Sequence, residues 1–544
     1  MARTSPRVHS FIPTRRACAA LILAVALGHG AVASAQGRDD DRDHDRDKDR
    51  DDRHGFLVGD LVVSRSVYRP NPAFAAYPYV WNQDLVDASF GITSAIFLDE
   101  ITPFGELVHT VEVPNSAQKG ISVSKDQMVT SFSSKSELAL NLSTDGRYLT
   151  FMGYLAPVDA VDVSNSNTPM DIDPTNPVTG VAFRVVARVD AEGTFDFTTT
   201  NAYSGNNGRA AILSNLGSAD AYFTAGNAGN GSNPQPNGII LGAGAQIITP
   251  QTKSEVAQHP GDPTPVASFS VTQLGGKADK VGKDDNFRGL TIFNNVLYFT
   301  KGSGSNGVNT VYFVDTHGGS CPNGVGLPHP GAALPTTPLA YTLATLQASG
   351  LPNNMCILSG FPAIRNSSLT KTTEAYPFGL WFANATTLYV ADEGDGDIDD
   401  AGLTPAGLQK WVFDANSASW VHVYTLQTDL GLGSTYRFPG IRQYPTGINA
   451  ATGLPWAPIT DGLRNITGRV NRNGTVTIWG VTSTASGNGD PGADPNKLVA
   501  VTDILDNVNP MIAEFEPFVT VRAARFGEVL RGVAFAPGSD RDIR

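Results

Sequence analysis

The chain is short of charge, of cysteine and of long apolar runs. Charged residues make up only 17% of its 544 positions. Most of it can therefore bury surface and fold rather than remain solvated. The formal net charge is −13, which argues against a nucleic-acid partner, because phosphate recognition needs a basic surface. Beyond the N-terminus no apolar run is long enough for a membrane helix, and no C-terminal anchor is expected after Arg544. Catalytic signatures are missing too. There is no Gly-x-Ser-x-Gly elbow, Walker loop, Cys-x-x-Cys-His haem site or His-Glu-x-x-His zinc helix. His109, His259, His317, His329 and His422 are scattered, and each is expected at the surface or in a loop.

What the N-terminus does contain reads as an export signal. Arg15 and Arg16 precede an apolar stretch from Ala17 to Leu27, too short to span a bilayer. Val32-Ala33-Ser34-Ala35 then offers a cleavage site, with Gln36 as the expected mature start. Ala17 and Cys18 do not fit the follow-on of a twin-arginine signal, so ordinary secretion to the periplasm or the outside is expected. Residues 1–35 are thus assigned to the signal and 36–55, rich in Asp, Arg, Lys and His, to a disordered linker. The folded body is placed at 56–537, with a short polar tail at 538–544. Of the three cysteines, Cys18 is lost with the signal. Cys321 and Cys356 remain in an oxidising compartment, where a disulfide is expected.

The 56 glycines and 35 prolines suit a chain of many turns. A two-strand unit recurs along it. Phe287-Arg288-Gly289-Leu290-Thr291-Ile292-Phe293 leads through Asn294-Asn295 into Val296-Leu297-Tyr298-Phe299-Thr300. Tyr376-Pro377-Phe378-Gly379-Leu380-Trp381-Phe382 leads through a second turn into Leu388-Tyr389-Val390-Ala391-Asp392. Repeats of this kind indicate a propeller or solenoid. Period-two alternation predicts strands in groups, opening with Leu57–Ser64, Ser94–Glu100 and Glu106–Val113. That first group lacks an inner strand. The last segment, Leu530-Arg531-Gly532-Val533-Ala534-Phe535, is an inner strand without followers. Pairing it with Leu61-Val62-Val63 would complete a blade and hide the sheet edges. The expected fold is all-β, a six-bladed β-propeller closed between its termini, with a seventh blade open in 316–375 or 428–460.

Leu388-Tyr389-Val390-Ala391-Asp392 and Leu530-Arg531-Gly532-Val533-Ala534-Phe535 resemble secreted bacterial β-propellers of the phytase-like, gluconolactonase-like and NHL-like kind. The resemblance covers most of the folded body and implies the fold. It implies no activity, because that fold serves hydrolases, lyases, dehydrogenases and binders alike.

In such a propeller the loops entering the inner strands share a face with those joining second and third strands. Arg209, Arg288, Arg464 and Arg531 stand at or near inner-strand starts and would form a partial cationic ring. Arginine's planar fork suits carboxylate or phosphate, although each could equally bridge blades through loop carbonyls. The run Asp392-Glu393-Gly394-Asp395-Gly396-Asp397-Ile398-Asp399-Asp400 has the carboxylates and glycines of a Ca²⁺ loop. It departs from an EF-hand at Asp400, where glycine is expected, and at Ala406, where the closing glutamate would stand. Long connections at about 66–93, 156–180, 226–237 and 484–496 carry aromatics, among them Tyr68, Tyr77, Tyr79 and Trp81, that could stack on a sugar.

Three functions compete. The first is a secreted monomer that binds an anionic or sugar-like small molecule or polysaccharide at the arginine-lined mouth. The second is a Ca²⁺-assisted hydrolase or lyase acting there on a phosphoester, lactone or acidic polysaccharide. The third is a structural surface or matrix protein.

Overall fold

The computed structural model describes residues 55–68, 92–131, 137–174, 176–229, 242–252, 264–278, 281–304, 306–342, 344–345, 351–365, 375–398, 405–437, 448, 453–455, 457–486 and 495–539. These belong to one compact unit. Their strands fall into six small antiparallel sheets arranged as blades.

Blade 1 contains β1 (Leu61–Val67), β2 (Thr93–Ile101), β3 (Leu107–Glu112) and the short β4 (Thr130–Ser131). Blade 2 contains β5 (Asn141–Leu142), β6 (Leu149–Tyr154), β7 (Arg184–Val189) and β8 (Phe195–Thr200). Blade 3 contains β9 (Gly208–Ser214), β10 (Ala221–Gly226), β11 (Ala245–Ile248) and β12 (Pro265–Ala267). Blade 4 contains β13 (Leu290–Phe293), β14 (Val296–Lys301), β15 (Thr310–Val314), β16 (Val325–Gly326) and β17 (Met355–Leu358). Blade 5 contains β18 (Pro377–Asn384), β19 (Thr387–Asp392), β20 (Gly407–Asp414) and β21 (Ser419–Leu426). Blade 6 contains β22 (Ile459–Val470), β23 (Thr475–Ala485), β24 (Lys497–Ile504) and β25 (Val519–Ala523). The last strand, β26 (Glu528–Phe535), returns to blade 1 as its inner strand.

The closure has the register expected from the sequence. Leu61 lies opposite Phe535, Val62 opposite Ala534 and Val63 opposite Val533. The inner strands then touch in a circle: β26, β5, β9, β13, β18, β22 and back to β26. Closed in this way, the ring leaves no inner edge free for another chain.

Two features bring the inner strands so close. Asn294 and Asn295 both take positive φ (48° and 59°), so β13 and β14 join through a two-residue turn whose twist matches the hairpin. Glycines at the inner strands then admit neighbouring backbone. A Cβ on Gly532 would run into the Leu138 carbonyl, on Gly289 into that of Phe378, and on Gly379 into that of Arg464. Blade-to-blade packing outside the ring is hydrophobic. Phe293 of blade 4 stacks on Phe382 of blade 5 with centroids 4.4 Å apart.

Some boundaries differ from expectation. The first strand begins at Leu61 rather than Leu57, because Leu57 and Val58 are exposed and the Leu57 amide donates to the Glu100 carboxylate. Glu137–Leu140 places leucine at alternate positions, as a strand does, yet β5 starts only at Asn141, because Leu138 has φ 61° and breaks the extended backbone. No seventh blade forms among the described residues. Residues 316–375 instead supply β16 and β17, which extend the sheet of blade 4. Cys321, just ahead of β16, is joined to Cys356 in β17, with Cα atoms 5.8 Å apart.

Between blades 5 and 6 sits a buried polar cluster that nothing in the sequence pattern announced. Lys410 and Asp503 are both fully buried and pair at 2.9 Å. Lys410 Nζ also donates to the Ile504 and Asn507 carbonyls, each at 2.9 Å. The Tyr389 and Tyr424 hydroxyls donate to Asp503. With these partners the pair is fully satisfied, the condition under which a buried charge pair is tolerated. Glu516 lies beside Asp503. Burial first, and its contact with Asp503 second, push Glu516 up to about 8.

Two outcomes are expected. Removing residues 528–544 takes away β26, leaves β1 with a bare edge and opens the ring, so calorimetry should show a broad transition in place of a single cooperative one. The second concerns Glu516. A carboxyl raised from about 4.5 to about 8 on folding contributes its full stability below about pH 4.5. That contribution shrinks as the pH rises and is gone above about pH 8, with a slope of at most about 1.4 kcal/mol per pH unit. Glu516→Gln should flatten this part of the stability profile between pH 5 and 8, measured by urea midpoints. An unchanged slope would contradict the assignment.

Candidate functional site

The glycine contacts define equivalent positions around the ring. The residue before the close-approach glycine is Arg531 in blade 1, Arg288 in blade 4 and Phe378 in blade 5. The carbonyls those glycines face belong to Leu138, Phe378 and Arg464. In blade 6 Asn465 replaces the glycine, and its Nδ2 donates to the Arg531 carbonyl at 2.6 Å. These contacts set Arg288, Phe378, Arg464, Arg531 and Leu138 at one level. Arg209, second in β9, lies close to it and donates through Nη1 to the carbonyl of Phe287, the residue before Arg288, at 2.7 Å.

All four arginines are buried, at 3% (Arg209), 6% (Arg288), 4% (Arg464) and 3% (Arg531) relative exposure. Each is held by its surroundings. Arg209 also bonds Asn286 Oδ1, and Arg288 Nη2 bonds Ser303 Oγ. Arg464 Nε reaches Glu393 Oε2 at 3.2 Å, with the guanidinium 6.0 Å over the Phe378 ring. Arg531 donates to Ser66 Oγ and the Ser131 carbonyl, each at 3.1 Å, and to the Tyr68 hydroxyl. Blade stitching is thus a real part of their work. Arg209 Nε, however, is buried and has no hydrogen-bond partner.

The two blades without an arginine at or near this level contribute carboxylates instead. Glu137 stands just ahead of Leu138 in blade 2, and Glu393 just after β19 in blade 5. Both are buried. Glu137 accepts from Thr130 Oγ1 at 2.6 Å, the Ser131 amide at 3.0 Å and the Tyr154 hydroxyl. Burial raises its pKa, and the Arg531 charge is the strongest opposing influence. Ser131 therefore couples the two groups, its amide serving Glu137 and its carbonyl Arg531.

Sequence reasoning did not find Glu137, Tyr154 or Arg184. Arg184, at the start of β7, is fully buried and 5.2 Å over the Tyr154 ring. It donates to the carbonyls of Ala182 and Ser166, each at 2.7 Å, and through Nε to that of Asn206 at 2.9 Å. Burial pulls it down to about 10. Arg209 falls well below the ordinary arginine range. Burial is the main cause and the Arg288 charge the next, while Tyr154, Glu393 and Glu137 act the other way. Groups of blades 2, 4 and 5 thus act on one guanidinium of blade 3.

The acidic run is divided. Asp392 is turned into blade 5, where Oδ2 accepts from the Tyr376 amide (2.8 Å) and Gln409 Nε2 (3.0 Å), and Oδ1 from the Gly394 amide (3.0 Å). Asp395 Oδ1 accepts from the Asp397 amide at 2.8 Å. Asp461 Oδ2, at the start of β22, accepts from the Gly396 amide at 2.9 Å. Asp399 and Asp400 lie outside the described residues, as do Tyr77, Tyr79 and Trp81. Among the described residues, the set of three metal-type ligand atoms lying together is Asp315 with Cys321 and Cys356, and those sulfurs are already bonded to each other.

The sheet arrangement and ring make this chain a six-bladed β-propeller. No family model matches it, and no curated protein does. Among solved structures it is similar to an apocarotenoid oxygenase mutant from Synechocystis, at 7% identity over 81% of this chain and 72% of that one, with TM-score 0.28. A cobalt-substituted form of that Synechocystis enzyme gives 8% identity, 82% and 60% coverage and TM-score 0.21. The extracellular domain of a hybrid two-component system protein from B. thetaiotaomicron gives 11%, 76% and 56%, and 0.13. Likenesses this slight say nothing of activity.

Removing one charge from the ring should be costly and partly reversible. Arg531→Met leaves Glu137 buried beside an apolar chain and should destabilise by about 3–5 kcal/mol. Adding Glu137→Gln should recover part of that loss, as read from urea unfolding. A double variant no better than the single would show that the two charges are not coupled.

Proposed function

We propose that this propeller is an exported binding protein whose arginine ring recognises an anionic ligand, a small carboxylate or phosphate or an acidic sugar. The observation that carries this reading is the charge balance of the ring. Four buried guanidiniums face the two carboxylates Glu137 and Glu393, and Arg209 Nε keeps an unused donor. An uncompensated buried charge is expensive, and an anion entering the ring would offset that cost. The planar forks of arginine would bind its oxygens pairwise. The Cys321–Cys356 disulfide suits an oxidising compartment.

A Ca²⁺-assisted hydrolase or lyase is the second reading. It is favoured by the hydrogen bond from Gly396 to Asp461, which ties the acidic run to β22 three residues ahead of Arg464. Calcium held by Asp395, Asp397 and their neighbours would then polarise a substrate oxygen next to the arginines.

Thermal melting with phosphate, galacturonate and a dicarboxylate tests the first reading, because a ligand bound by the folded state alone stabilises it by about 2.7 kcal/mol at a hundred times Kd. Arg288→Lys keeps the charge and loses the fork, so it should reduce the ligand-induced shift at least tenfold in ligand concentration. If it lowers the melting temperature without ligand and leaves the shift intact, the ring is structural. A calcium-dependent rise that Asp395→Asn with Asp397→Asn abolishes would support the second reading.

A further inference from the structure

A cavity lies at the end of the inner strands away from the arginines, and none of the four lines it. Its volume is about 970 Å³, at the upper end of the range for small-molecule sites. Every inner strand contributes an apolar side chain to its wall: Leu142, Ile212, Ile292, Leu380, Ile466 and Ala534. Among the described lining residues there is no lysine, arginine or histidine, and the single charged one is Asp220. Asp220 is exposed, in the β9–β10 turn, and shares the lining with the turn residues Asn294 and Asn295. The stretch between β16 and β17 adds Leu334 and Pro335. The disulfide joins the two ends of that stretch, since Cys321 precedes β16 and Cys356 lies in β17.

We propose that this cavity binds a neutral long-chain hydrocarbon ligand, with its polar end at the turns and its chain inside. The lining also holds neutral polar groups, Ser218, Asn294 and Asn295 at the turns and Thr291 and Thr467 on the strands, so the aliphatic side chains of the inner strands are the part of the wall that a hydrocarbon chain would cover. A hydrocarbon chain gains from every methylene removed from water. The lining offers an anion no cation to pair with, and Asp220 repels it. The site is therefore for uncharged ends, such as a hydroxyl or an ester, which the asparagine side chains can meet with hydrogen bonds. This site does not depend on the arginine ring, and the two are separable by experiment.

The test is calorimetric titration of the full exported chain with 1-alkanols from C8 to C16. One molecule should bind per chain, with affinity rising about fourfold per methylene until the cavity is filled. At pH 8 a fatty acid of equal length should bind at least tenfold more weakly than the alcohol. Thr291→Trp and Thr467→Trp, on two different inner strands lining the cavity, should each remove binding while the melting transition stays cooperative. Arg288→Lys should leave it unchanged. The proposal fails if affinity does not rise with chain length, if the fatty acid binds more tightly than the alcohol, if both folded tryptophan variants still bind, or if Arg288→Lys abolishes binding.

Discussion

The antiparallel pairing of β26 with β1 is the contact on which the other features rest. It joins residues more than 460 positions apart, Val62 with Ala534 and Val63 with Val533. Bringing such distant segments together has a large loop-closure cost. The circle of inner strands exists only once that cost is met, and with it the near-common level of Arg209, Arg288, Arg464 and Arg531. Arg531, on β26 itself, meets Ser66 and Tyr68 only through that closure. With closure, Arg209 comes under the influence of Arg288, Glu393 and Glu137 together.

The ring shows how a propeller reconciles charge with burial. Most of its guanidinium hydrogen bonds go to neutral acceptors, among them the carbonyls of Phe287 and Ser131 and the hydroxyls of Ser303, Ser66 and Tyr68. Such bonds satisfy donors but do not cancel charge. Among the described residues, Glu393 pairs with Arg464 and Glu137 offsets Arg531 at longer range. The arginines therefore hold blades together and leave the centre cationic at the same time. Contrast the Lys410–Asp503 pair between blades 5 and 6, where the charges cancel and tyrosine hydroxyls complete the shell. On the reading proposed above, the first arrangement has a use for an incoming anion and the second does not. At the far end of the inner strands the described wall mixes aliphatic side chains with neutral polar ones and holds no cation, so the two ends of the ring differ in chemistry.

Local pattern was enough to read much of this. The repeated apolar pairs with short turns marked the hairpins, and Asn294-Asn295 joins β13 to β14 as expected. The orphan strand at Val533-Ala534-Phe535 revealed closure because a propeller cannot leave a blade incomplete. The four arginines stood out because they recur near inner-strand starts, and two cysteines left after an expected export signal implied their bond. Where pattern failed, backbone conformation or long-range contact was in control. Leu57–Asp60 carries strand-like residues but has no partner strand to extend. Glu137–Leu140 looks like a strand until Leu138 turns to positive φ.

By itself the sequence determined the fold class, a closed array of six or seven blades and the positions at which arginine recurs, because each depends on spacing along the chain. Tertiary structure alone decided which groups those arginines meet. Glu137 and Tyr154 carry no local signal, since one precedes an irregular turn and the other ends an ordinary strand. They become partners of the ring only when blade 2 is set beside blade 1. The apolar cavity is likewise invisible in sequence, for Leu142, Ile212 and Ile466 look like any core residue until six strands place them around one axis. Periodicity is a property of the chain. Charge balance and enclosed volume are properties of distances, and distances exist only after the ring has closed.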